Sequence, residues 1–136
     1  MTGAIDLTDI TPGFADPVLE SQAVFRALLD AMAHPGTIVD LAAALHPPVP
    51  RFEAQAAIAL TMLDFETPVF IDPALGAARL QNWVRFHCSA PLARGPQDAA
   101  YAFVAAASMP ALAAFNPGDP KYPDRSTTVV IGCEAL

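Results

Sequence analysis

Apolar positions along this chain fall into two periods. Phe25, Leu28, Leu29 and Met32 recur at i, i+3, i+4 and i+7, the spacing of one buried helix face. Asp16-Pro17 supplies a cap and a proline at the first helical position, with Ser21 as a second possible start. This first helix is predicted to run to about Ala33, where Pro35 and Gly36 stop it. A second helix is predicted from about Phe52 to Leu63, packed through Ala54, Ala57, Ile58, Thr61 and Met62. A third follows from about Gly76 to Phe86, with Leu80, Trp83 and Val84 turned inward. Ser108, before Met109-Pro110, reads as the cap of a short further helix.

Compact apolar runs mark the strands: "TIVDL" (37–41), "TPVFID" (67–72), "YAFVAA" (101–106) and "TTVVIGC" (127–133). Between them, "AAALHPPVP" (42–50) cannot stay regular, because Pro47, Pro48 and Pro50 lack backbone donors. "FNPGDPKYPDRS" (115–126) has the composition of a turn or loop. Residues 1–15 read as an irregular arm. Strands alternating with helices predict an α/β or α+β domain with a mixed sheet, and nothing in the chain marks a domain boundary within 1–136. The last strand poses a problem. It is strongly apolar, and unless it pairs with an earlier strand it is an exposed edge. The expectation is a chain that is cut short or that completes itself against another chain.

Composition narrows the function classes. Of the 54% apolar residues, 28 are alanines, so much of the core is small side chain. There is no apolar run of 18 residues, and the acidic, Lys- and Arg-free start lacks the pattern of a secretory leader, so a cytoplasmic protein is expected. A net charge of −7, with six scattered arginines and one lysine, opposes general nucleic-acid binding. Cys88 and Cys133 fit no metal or redox spacing and read as reduced, buried thiols. No phosphate-binding Gly-Lys loop, dinucleotide glycine motif, nucleophile elbow or zinc pattern is present.

The candidate chemistry is sparse, and no residue is assigned a catalytic or metal-binding role. His34 closes the first helix, where an imidazole caps the last carbonyls; its functional alternative is a ligand contact shared with Arg26. If "RFHCSAPL" is extended, Arg85 and His87 share a face and could hold a phosphate or phosphonate; otherwise they bond loop carbonyls. Asp64 and Glu66 read as turn caps, and His46 as a solvent-side loop residue.

Four segments, "FRALLDAMAHPG", "ALTMLDFETPVFI", "WVRFHCSAPLA" and "YPDRSTTVVI", occur in an order and spacing that resembles the PhnH subunit family of the bacterial carbon–phosphorus lyase system. The resemblance runs from about Phe14 to Ile131. It implies a fold like that of the PLP-dependent transferases but without PLP. It also implies a cytoplasmic homodimer that joins the PhnG, PhnI and PhnJ subunits. That machinery couples a phosphonate to ribose from MgATP, giving ribose 1-phosphonate 5-triphosphate, and the implied role of this subunit is assembly rather than catalysis. The residues agree on PLP: the sole lysine, Lys121, lies in the proline-rich loop, a poor seat for an internal aldimine. The family pattern continues beyond the 127–133 strand, so the domain is expected to be incomplete at its C-terminal side. The competing expectation is a small phosphonate- or nucleotide-binding protein or enzyme using Arg85 and His87, with Arg26 and His34. Under either, those four residues are the candidate ligand or partner contacts.

Overall fold

The computed structural model describes residues 4, 7, 8, 10–41 and 44–136. Helix α1 spans Pro17–Ala33, α2 Glu53–Met62 and α3 Ala77–Cys88; strands β1, β2 and β3 are Val69–Ile71, Tyr101–Ala105 and Thr128–Gly132. The three strands form one parallel sheet in the order β1-β2-β3, with Val69 opposite Tyr101 and Tyr101 opposite Thr128. Parallel neighbours need a crossover, and α3 supplies it between β1 and β2. Between β2 and β3 the crossover holds only the short 3-10 turns Leu112–Ala114 and Pro123–Arg125. The architecture is therefore α/β, as the alternation of runs predicts, but the sheet among the described residues is wholly parallel and not the mixed sheet expected.

Local chemistry explains the boundaries. The Asp16 carboxylate accepts the Leu19 N–H at 3.1 Å and caps α1, with Pro17 next to it; Ser21 lies inside the helix. Gly76, in the left-handed region at φ 72, turns the chain from the Pro73–Leu75 turn into α3. The helices pack in the order α1-α2-α3, with α3 against β1. On that side of the sheet Phe52, Leu80, Trp83, Val84, Val69 and Phe103 form the main core, and Phe52 meets Phe103 edge to face at 5.9 Å. The other face carries a smaller cluster of Ala102, Val104 and Phe115, with Phe70 and Val129 against it.

Five further expectations need correction. "TIVDL" forms no strand: 37–41 is irregular, with Ile38 73% exposed. The buried side of α2 is Gln55, Ala56, Ala57 and Ala59, and Ala54 is exposed, because α2 is flanked by helices on both sides. Ser108 caps no helix; its hydroxyl donates to Asp72 Oδ2 at 2.7 Å. Cys88 is buried, but Cys133 is exposed. Most consequential is the α1 stripe. Leu28 is half-buried, while Phe25, Leu29 and Met32 are exposed, and Val24 is the one buried residue of α1.

Asp72 joins the ends of two strands. Its Oδ1 accepts Ala74 N–H at 3.0 Å, and its Oδ2 accepts Ala105 N–H at 3.2 Å in addition to Ser108. Burial pushes this carboxyl up, but the bonds from Ser108, Ala74 and Ala105 together hold it below the ordinary value of 3.8.

Candidate functional site

The four candidate residues do not meet. Arg26 is exposed on α1. His34 sits at the C-terminal end of the same helix, where its Nδ1 donates to the Asp30 carbonyl at 3.1 Å and stands 3.4 Å from the Asp30 carboxylate. That is the capping geometry expected of a histidine in this position. Arg85 and His87 belong to α3, which continues to Cys88 and ends on Ser89 in the left-handed region at φ 56. The segment is thus helical, not extended. Two residues apart on a helix are about 200° apart around its axis, so the two side chains do not share a face.

His87 has a bracing role. Its Nε2 lies 2.9 Å from the Thr11 carbonyl, to which it must donate, and Trp83 Nε1 donates to the same oxygen at 2.9 Å. The imidazole is packed between Trp83, at 4.7 Å between ring centres, and the edge of Phe86 at 5.0 Å. A Cβ added at Gly13 would come within 3.2 Å of His87 Nδ1, so the N-terminal arm lies closely against this ring. Asp64 caps its turn as expected, its Oδ1 accepting from Glu66 N–H at 2.9 Å and Thr67 Oγ1 at 2.6 Å. These bonds hold the exposed Asp64 carboxyl below its ordinary range. His46 is exposed in its loop.

Two other surfaces stand out, and sequence reasoning singled out neither. A cleft of about 630 Å³ opens at the carboxyl ends of the strands, between Phe52, Leu75, Ala105 and Gly132. Open parallel sheets commonly bind ligands at this end. Its distinctive residue is Gln55, 5% exposed, whose Nε2 donates to Val130 O at 2.8 Å and Val104 O at 3.2 Å, clamping β2 to β3. Arg51 and Glu134 pair at 3.4 Å on its rim, both highly exposed. No pattern signalled Gln55, because a lone glutamine in an alanine-rich helix carries no spacing information.

The second surface is a groove of about 400 Å³ between α1, the end of α2 and β3. Phe25, Leu29 and Met32 form one wall, Ile58 and Met62 the back, and Thr128 to Ile131 the floor. This groove is where the predicted stripe of α1 points.

A parallel α/β sheet with helices on one face, whose candidate side chains brace the fold instead of converging, defines a small α/β protein with no gathered metal-ligating cluster among the described residues. A sequence model described as bacterial phosphonate metabolism protein (PhnH) matches residues 12–136. The chain is also 44% identical over 124 residues to the alpha-D-ribose 1-methylphosphonate 5-triphosphate synthase subunit PhnH of Rhizobium meliloti (strain 1021). That alignment covers 90% of this chain and 62% of the relative, so the chain spans somewhat under two thirds of the relative's length. The chain belongs to the PhnH family. None of the described helices is long and apolar enough to cross a membrane.

Proposed function

We propose that this protein is a non-catalytic assembly subunit of a ribose 1-methylphosphonate 5-triphosphate synthase, the complex that activates phosphonates for carbon–phosphorus bond cleavage. The observation that carries this is the 44% identity, across 90% of the chain, to a protein named as a subunit of that synthase. The dispersal of Arg26, His34, Arg85 and His87 supports assembly over a ligand pair, since Arg85 and His87 point to different sides of α3 and His87 is committed to the Thr11 carbonyl. Its partners in this reading are the PhnG, PhnI and PhnJ subunits, in the cytoplasm.

The parallel sheet is taken as part of a PLP-dependent-transferase-like fold that has given up PLP. Lys121, in the 115–126 loop with its ammonium 5.3 Å from the Tyr122 ring centre, bears on the loss of PLP alone, being a poor seat for an internal aldimine, and not on the fold. Co-expression of the chain with PhnG, PhnI and PhnJ, followed by affinity purification through a tag on this chain, tests the proposal. Recovery of all three is expected. A chain that elutes alone, yet saturably binds methylphosphonate in calorimetry and loses that binding with Arg85→Ala, would replace this reading with the ligand-binding one.

A further inference from the structure

Residues 10–15 are held to the domain differently from every helix and strand. Among the described residues they make no backbone–backbone hydrogen bond, and none of them is buried. Ile10 and Phe14 pack on the main core as partly buried neighbours. Between them a single main-chain atom carries the polar attachment. The Thr11 carbonyl accepts both Trp83 Nε1–H and His87 Nε2–H, each at 2.9 Å. A carbonyl oxygen has two lone pairs, so it satisfies both donors. The Thr11 hydroxyl, by contrast, is buried without a partner among the described residues.

This attachment favours local release. A segment tied into a ladder or a helix comes away only with that element, whereas 10–15 belongs to neither, and regions with few buried contacts open first. Lifting the segment strands no polar group. Thr11 O, Trp83 Nε1 and His87 Nε2 all pass to water, and the Thr11 hydroxyl gains the partner it lacks when closed. Closure depends instead on the apolar contacts of Ile10 and Phe14 and on the close fit of Gly13. A Cβ at Gly13 would stand 3.2 Å from His87 Nδ1 and 3.4 Å from its Cε1. Helix α1 begins only at Pro17, which leaves Ala15 and Asp16 as the hinge. We infer that residues 10–14 are a strap that opens from α3 as a unit while the domain beneath stays folded. Opening bares Trp83, fully buried in the closed form, together with two N–H donors that converge on one point. The strap goes beyond the assembly function and does not depend on it.

Trp83 is the sole tryptophan, so its indole N–H gives a single resonance in an isotope-labelled chain. Its hydrogen exchange, compared with that of the amides of the central strand β2, tests the strap. Relative to its intrinsic rate, the indole N–H is expected to exchange at least about a hundredfold faster than the β2 amides. Urea below the unfolding transition is expected to speed β2 exchange and leave the indole unchanged, because a local opening exposes little surface. Thr11→Val removes the orphaned hydroxyl at nearly constant volume and is expected to slow indole exchange about fivefold. Gly13→Ala presses on a ring already packed against Trp83 and Phe86, and is expected to speed indole exchange about tenfold. An indole N–H as protected as β2 and equally sensitive to urea makes the strap a fixed part of the core and overturns the inference. Indole exchange unmoved by both variants overturns it as well.

Discussion

Replacing Asp72 by alanine removes the acceptor for three donors at once, and its cost can be worked from their surroundings. Ala74 and Ala105 N–H lie in partly buried positions at the ends of β1 and β2, and each loses its carboxylate oxygen. An unsatisfied buried donor costs about 1–3 kcal/mol. Ser108 is exposed and can turn its hydroxyl to water, so it adds little. Asp72→Ala should therefore destabilise by about 2–4 kcal/mol, a large part of the roughly 5–15 kcal/mol typical of a domain. Asp72→Asn keeps one oxygen but sets its amide hydrogens against the other donors, and should cost about 1–2 kcal/mol; Ser108→Ala should cost about 1 kcal/mol or less. Urea unfolding followed by the fluorescence of Trp83, the sole and fully buried tryptophan, measures all three. The pH dependence follows from the depressed carboxyl. Its stabilisation is fully present above the ordinary value of 3.8 and is lost as pH falls through the lower folded value, so the gap between wild type and Asp72→Asn should shrink on acidification. An Asp72→Ala variant within about 0.5 kcal/mol of wild type, below the cost of one orphaned donor, would refute the latch.

Other substitutions probe the remaining polar joints. Gln55→Glu would aim carboxylate oxygens at the Val104 and Val130 carbonyls and should destabilise by more than about 2 kcal/mol at neutral pH, with partial recovery on acidification as the side chain is protonated; urea midpoints at two pH values check this. His87→Phe keeps the ring against Trp83 but loses the bond to Thr11, so limited proteolysis should cut the arm around residues 10–14 sooner while the unfolding free energy falls by about 1 kcal/mol. Burial pushes the Cys88 thiol up to about 12, whereas Cys133 is exposed, so a thiol reagent should titrate one cysteine in the native chain and two after denaturation.

How much of this was legible in the sequence depended on whether the signal was local. Asp16-Pro17 and Pro35-Gly36 act through adjacent backbone groups, and α1 begins and ends where they dictate. The three apolar runs that became strands were visible for the same reason, being short and flanked by breakers. "TIVDL" shows the converse: β-branched residues favour a strand only where a neighbouring strand accepts them, and among the described residues none lies beside 37–41. The helical state of Arg85 to Cys88 was hidden because polar residues interrupt the apolar period, while the burial of Trp83 and Val84 carries α3 on to its Ser89 cap. Partnerships across long stretches of chain, such as Asp72 with Ser108, Gln55 with Val130 and His87 with Thr11, leave no periodic trace. The stripe of α1 was legible as apolar, but its burial was not, since burial depends on what lies across from it.

The central claim is that this protein works by joining the synthase. Native mass spectrometry of material purified through a tag on this chain, after co-expression with PhnG, PhnI and PhnJ, tests it most directly. A defined assembly containing this chain and all three subunits is the predicted result. Recovery of the chain alone, with PhnG, PhnI and PhnJ assembled without it, would contradict the account.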